Sequence, residues 1–279
     1  MQISPEIKAA LTLAGNQDDT DIDIGETALT LAAADRPGAW FAPYRRHLEK
    51  ITDEVGAYAQ RGPRDVPLAL RHEALVQVIH KRMGYAGTED SFDDIDAANL
   101  MQVIDRRSGL PVAIGILYLH AAAKLGWAAC GVDFPGRFLL RLDTDAGRLI
   151  FDPFDGGREL TPPDLRLLLK AITGPGAELT QEHYRSAGPR SVLLRLQNNI
   201  KIRRLEANQP EAALAIVESM VMIAPLEPAL WRECGLLHAR LEHIAEAVAA
   251  LEEFLRLSVS EQARYSTSSL LQELRGRLG

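Results

Sequence analysis

The chain has 279 residues, enough for two domains that each bury a core. Its 47% hydrophobic and 25% charged residues are those of an ordinary globular protein, and 38 acidic against 31 basic residues leave a net charge of −7. That balance excludes a general affinity for nucleic acid or anionic membrane, and the basic runs Arg106-Arg107 and Lys201 to Arg204 are short enough to be solvated helix faces or local pairs.

The first residues, MQISPEIKAALTLAG, read as a short helix without the basic start or the apolar run of a secretory signal. Gly15 to Glu26 is acidic and poor in large apolar side chains, so residues 1–24 are expected to be a helix followed by a mobile acidic linker. Three amphipathic helical segments follow: a stripe of Ala28, Leu31 and Ala32, then Trp40 to Tyr58, then Pro67 to Met83. RPG at 36–38 and RGPRD at 61–65 punctuate them.

A loop and a short helix reach Arg107 and lead into a central apolar helix from Pro111 to Leu125. Proline is tolerated in a first turn because its missing N–H has no intrahelical partner there. Ser108 is the expected N-cap and Gly126 the expected stop. The longest apolar run, Pro111 to Ala123, is broken by Gly115, Tyr118 and His120. It falls short of the roughly 18–20 residues that span a bilayer, so no membrane is expected as a partner.

Beyond Gly126 the period changes. WAACGVDF, RFLLRL and RLIFD are short, apolar and bounded by turn residues, hence strands, the last two forming an antiparallel hairpin. An α+β domain over 25–182 is expected, returning to helix and closing on the Gly/Pro-rich GPGAE. Residues 186–279 read as all-α and repeat themselves. An offset of 34 lays Ala213 on Ala247, Val217 on Leu251, Glu218 on Glu252 and Met220 on Phe254, and 34 is the tetratricopeptide period. Trp231, Gly235 and Ala247 fit that consensus in the second repeat, Ala213 and Pro225 in the first.

Together RRSGLPVAIGILYLHAAAKLGW, GVDFPGRFLLR and FDPFDGG resemble the SirB family of transglutaminase-like proteins, which join such a domain to tetratricopeptide repeats. The resemblance covers most of residues 25 to 175 and implies a helical N-terminal region, a transglutaminase/papain-like core with a small antiparallel sheet, and a tetratricopeptide-type stack. In that superfamily a cysteine starts the central helix, where free N–H groups and the helix dipole stabilise its thiolate, with a histidine and an aspartate on successive strands. Fifteen residues before Gly126 the nucleophile position holds Pro111; the base position after F-P-G holds Arg137; the carboxylate position in F-D-P holds Asp152. Proline has no nucleophile and arginine stays protonated. Many family members lack the nucleophile, while Arg137 departs from the histidine commoner there.

Cys130 is the nearest replacement thiol, but its apolar strand suits an inert buried cysteine, and Cys234 falls at a packing position. Two cysteines make no disulfide framework and fit a reducing cytoplasm. Among the seven histidines, His238 and His243 are five apart and His72 and His80 eight apart, so neither pair is an i, i+4 metal clamp. His120 on the central helix reads as a core or edge residue, and His47 and His183 have no partner in sequence. No metal and no cofactor are expected. Asp133, Asp152 and Asp155 make an acidic group around the former site. The sequence thus points to a catalytically inactive transglutaminase-like protein acting as an interaction or adaptor module, with a protein or peptide in its repeat groove. The alternative is a hydrolase or acyl transferase using non-ancestral residues around Asp152.

One expectation is geometric. A four-residue loop, DTDA, pairs Leu142 with Gly147 and sets Arg137 directly opposite Asp152, where the two form a salt bridge. Phe138, Leu140, Leu142, Leu149 and Phe151 then make the core face of the hairpin.

Overall fold

The computed structural model of the protein describes residues 3–36, 38–60 and 65–278. They form two compact units that are not contiguous in sequence: one of residues 18–33, 38–60 and 65–196, the other of residues 3–17, 34–36 and 197–278. Of the two expected separators, Pro37 and residues 61–64 lie outside the described residues.

The acidic stretch expected to be a mobile linker is taken up in helices. Helix α1 (Pro5–Asn16) runs through Gly15, Asp19–Asp21 is a 3-10 turn, and α2 (Ile24–Ala34) starts at once. The acids have local work as helix caps. Asp23 Oδ1 accepts from Glu26 N at 3.0 Å, and Asp19 Oδ1 accepts from Arg190 N at 2.8 Å, at the first turn of α8 (Pro189–Glu206). A carboxylate on free helix N–H groups is favoured by both hydrogen bonding and the dipole.

Helix α3 (Ala42–Ala59) buries Leu48, Ile51, Val55 and Ala59, one face at helical spacing. Helix α4 (Leu68–Leu75) runs on into a π-helical turn, Val76–Arg82, and α5 (Leu100–Arg106) is capped by Asn99. The central helix α6 (Pro111–Lys124) buries every residue from Val112 to Ala122. Its N-cap is Leu110, without a side-chain hydrogen bond, and not Ser108. Gly126, at φ +70°, ends it with Trp127 N donating to Ala122 O at 2.9 Å.

Strands β1 (Ala129–Phe134), β2 (Arg137–Thr144), β3 (Gly147–Asp152), β4 (Arg158–Glu159) and β5 (Ser186–Ala187) form one antiparallel sheet of order β4-β3-β2-β1-β5. Phe138, Leu140 and Phe151 face α6, where Gly115 makes room for the Phe138 ring: a Cβ there would lie 2.6 Å from Phe138 Cε1. The opposite face is not the solvent side that its arginines suggest. Val132, Phe134, Leu139 and Ile150 pack under Leu160 and under Leu165 and Leu169 of α7 (Pro162–Thr173). Burying each such leucine stabilises by about 1.5–3 kcal/mol, so the sheet is held from both sides.

In the other unit, α9 (Pro210–Ile223) and α11 (Ile244–Leu257) have 14 residues each and start one 34-residue period apart. Helix α10 (Pro228–Arg240) precedes α11, and α12 (Glu261–Leu278) closes the stack. Gly235 lets α10 close on α11: a Cβ there would meet Leu251 at 2.6 Å. Buried Lys201, on the second half of α8, pairs with Glu233 at 2.7 Å. Helix α1 packs on α9, so this unit includes the first described helix of the chain as well as its last.

Candidate functional site

The site starts where β2 leaves the Phe134-Pro135-Gly136 turn. Gly136 has φ +65°, and Arg137 is the first strand residue after it. The hairpin closes on two residues, Asp145 and Ala146, with Thr144 paired to Gly147 and Leu142 to Leu149. Continuing that register sets Asp152 across from Leu139, two residues from Arg137, so the two are diagonal and not directly opposite. A slip of two keeps both side chains on one face, and a diagonal of about 7–8 Å is within reach of a long side chain. Arg137 Nη1 donates to Asp152 Oδ2 at 2.8 Å, with the arginine side chain 41% exposed and the aspartate 4%. Asp152 Oδ1 accepts from the amides of Phe154, at 2.9 Å, and Asp155, at 3.3 Å. Three donors therefore occupy this carboxylate.

The expected acidic group does not hold together. Asp133 pairs with Arg195, Asp155 with Arg158, and of the three only Asp152 is buried. Pro111 heads α6 and brings no polar side chain to the pair. Cys130 is half-buried, and burial pushes its thiol above the ordinary range against the opposing pull of Arg141. Cys234 is buried and pushed up to about 12 by burial and the nearby glutamates. Neither is a stabilised thiolate of the kind a nucleophile needs.

The turn FDPFDGG is gripped by two histidines that spacing alone did not join. His72 Nε2 donates to Gly157 O at 2.7 Å. His80 Nδ1 donates to Tyr85 O at 2.9 Å while its ring lies against Gly156. The π-helical turn between them changes the phase, so residues eight apart come to one loop. The two glycines are required: φ is +60° and +78°, and a Cβ on Gly157 would lie 2.4 Å from Val76 Cγ2.

Arg107, four residues before Pro111, has a partner set that the sequence did not disclose. Arg107, at φ +58°, donates to His47 Nε2 at 2.6 Å and to the Tyr85 hydroxyl, which itself lies 2.7 Å from His47 Nε2. Burial and Arg107 lower the His47 pKa to about 4, leaving Nε2 as the acceptor these contacts need. Ser108 is freed from capping and joins Ser91 and Thr88 in a set of hydrogen-bonded hydroxyls. His120 is buried on α6 beside Asp23, with Nδ1 at 3.5 Å from Oδ1. The repeat unit offers a separate surface, a cavity of about 810 Å³ bounded by α1, α9, α10 and α11.

A family model described as the transglutaminase-like superfamily matches residues 42–198, and one described as tetratricopeptide repeat matches residues 200–272. A UPF0162 protein of Xylella fastidiosa is 28% identical over 244 residues, 86% of this chain and 85% of that one. A UPF0162 protein of Pseudomonas aeruginosa is 31% identical over 201 residues, 72% of each chain. Protein SirB1 of Salmonella typhimurium is 30% identical over 176 residues, 62% of this chain and 65% of that one. This chain belongs to the SirB family of transglutaminase-like proteins. In this SirB-family chain the repeat match covers α9, α10 and α11, whose periodicity is visible in the sequence, and leaves out α1, which packs on them from the other end of the chain. No described helix is long and apolar enough to cross a membrane.

Proposed function

We propose that this protein is a transglutaminase-like protein without catalytic activity, serving as an adaptor that holds a protein or peptide on its repeat unit. The observation that carries the reading is the pairing of Arg137 with Asp152 at 2.8 Å. The position that the family resemblance assigns to the general base holds a permanent cation, and its partner carboxylate is engaged by that cation and by two amides. With Pro111 at the helix start, the arrangement offers neither a nucleophile nor a free base. The competing hydrolase or acyl-transferase reading needs Asp152 to act on a substrate from a buried position where three donors already engage it. The tetratricopeptide match supports the interaction role, because stacked repeats present extended surfaces for peptides and helices. Two unpaired cysteines support a place in the cytoplasm, and the acidic balance argues against nucleic acid or membrane as the partner.

Two measurements test the reading. Purified protein offered ester, amide and amine-acceptor substrates should give no turnover above buffer. A photocrosslinking residue at exposed Ala249, which lines the repeat cavity, should trap a discrete adduct in cells, while one at Val259 should not. Turnover that disappears in Asp152→Asn would overturn the proposal.

A further inference from the structure

The cavity of the repeat unit is apolar in its depth and acidic at its rim. Val221 and Cys234 are buried in its lining, and half-buried Trp231 is held there by Nε1 donating to Pro225 O at 2.8 Å. Four glutamates line it, at 218, 246, 252 and 253, against one lysine, Lys8 of α1. Glu252 and Glu253 are already shared with Arg275 and Arg256 in exposed pairs. Among the described residues Glu246 has no ion pair, and the only ion-pair contact of Glu218 is with His238, whose Nε2 lies 3.5 Å from Oε1.

His238 supplies the second observation. It lines the cavity, is 7% exposed, and its Nδ1 has no hydrogen-bond partner among the described residues. Nε2–H turned toward Glu218 leaves Nδ1 a buried acceptor without a donor. Burial holds the His238 pKa below its ordinary value, so the ring is no standing cation for Glu218. Two carboxylates without a lysine or arginine partner beside an apolar depth and the Trp231 ring call for an occupant that is both basic and apolar.

We propose that the cavity binds a basic amphipathic peptide segment, its lysine or arginine facing Glu218 and Glu246 and its apolar side chain on Trp231. This rests on the adaptor reading and specifies its partner. A peptide fits better than a small amine, which would meet the rim and leave the apolar depth of an 810 Å³ cavity uncovered. Nucleic acid and anionic lipid are repelled by the same glutamates.

The test uses the full chain and a short fluorescent peptide with lysine and leucine at helical spacing, compared with the same peptide carrying glutamine or glutamate for lysine. Anisotropy should show the lysine peptide binding at least about tenfold tighter than either control, with affinity falling as ionic strength rises. Glu218→Gln with Glu246→Gln should weaken the lysine peptide by about tenfold and leave the glutamine peptide unchanged. Ala249→Trp, filling the cavity from an exposed position, should abolish binding without a change in thermal melting. Equal binding of the glutamine peptide, or indifference to the double substitution, would overturn the basic-segment proposal while adducts at position 249 still support the adaptor. Failure of both peptide binding and crosslinking overturns the two together.

Discussion

Arg137 reaches Asp152 across a diagonal of the sheet, from a half-exposed position onto a carboxylate that is 4% exposed. Removing the arginine leaves that carboxylate buried with two amide donors, so Arg137→Ala should cost about 1–3 kcal/mol, discounted from the fully buried case because the guanidinium is partly solvated. Asp152→Ala should cost more, since the Phe154 and Asp155 amides then lose their acceptor too. Arg141→Ala should cost less than Arg137→Ala, because its carboxylate partner Asp143 is 36% exposed and returns to water, leaving only the Tyr184 carbonyl, which accepts from Arg141 Nη1 at 3.0 Å, short of a donor. Urea unfolding of the three variants orders them, and Arg141→Ala as the most damaging would sink this account of the pair.

The hairpin shows what alternation can and cannot settle. Apolar residues at every second position set which face each side chain takes, and the four-residue and two-residue turns share that parity. Thr144 and Gly147 can sit in a turn or pair across one, so the register was open and the direct opposition of Arg137 and Asp152 was not legible. The burial of the second face was also hidden. Arg137 and Arg141 read as solvent-facing, and only tertiary packing brings Leu165 and Leu169 over Leu139 and Ile150.

The neutral state of His47 makes stability pH-dependent. Its folded pKa is lowered to about 4, against an unfolded value near 6.5, so between these values the unfolded chain binds the extra proton. The contribution is complete above about pH 6.5 and is lost as pH falls toward 4. His47→Gln keeps an acceptor for Arg107 and Tyr85 without the titration. The urea midpoint of the natural protein should therefore fall more steeply from pH 7 to pH 5 than that of His47→Gln, and parallel declines would refute the assignment.

Thiol chemistry offers a direct check on the α6 N-terminus. Alkylation of the native protein should label Cys130 and Cys234 slowly, and denaturation should make both react fully, because burial raises both thiols. A thiol introduced by Pro111→Cys sits instead at free helix N–H groups, where the dipole favours thiolate. It should label faster near neutral pH than either native cysteine. If it labels no faster, Pro111 does not occupy the electrostatic position that the family resemblance assigns to it.

The turn around Asp152 was half legible. F-D-P-F-x-G-G announces two glycines in series, and positive φ explains both. That His72 and His80 meet this turn depends on the π-helical phase change, which no regular 3.6-residue pattern carries. Gly157→Ala joins a left-handed φ to a clash with Val76 and should cost about 1–3 kcal/mol in the same unfolding experiment. Gly174→Ala is the control: it has positive φ and open space around it, so the difference between the two isolates the packing contribution.

The membership of α1 in the repeat unit was not legible at all, because nothing local in residues 3–17 names a partner beyond residue 200. Leu11 is fully buried, Ala14 nearly so, and Gly15 brings the helix backbone against α9. A Cβ on Gly15 would lie 2.0 Å from the carbonyl oxygen of Met222, a backbone atom that cannot rotate away. Helical φ suits alanine, so intrinsic propensity alone would make Gly15→Ala stabilising by about 1 kcal/mol. The contact reverses that sign: α1 must lift from α9, and the overpacking should cost about 1–3 kcal/mol. Thermal unfolding of Gly15→Ala beside Gly276→Ala, a helical glycine of α12 with open space around it, separates the two effects. Gly276→Ala should hold or raise the midpoint and Gly15→Ala should lower it. A raised midpoint in both would mean that α1 is not seated on α9 as described.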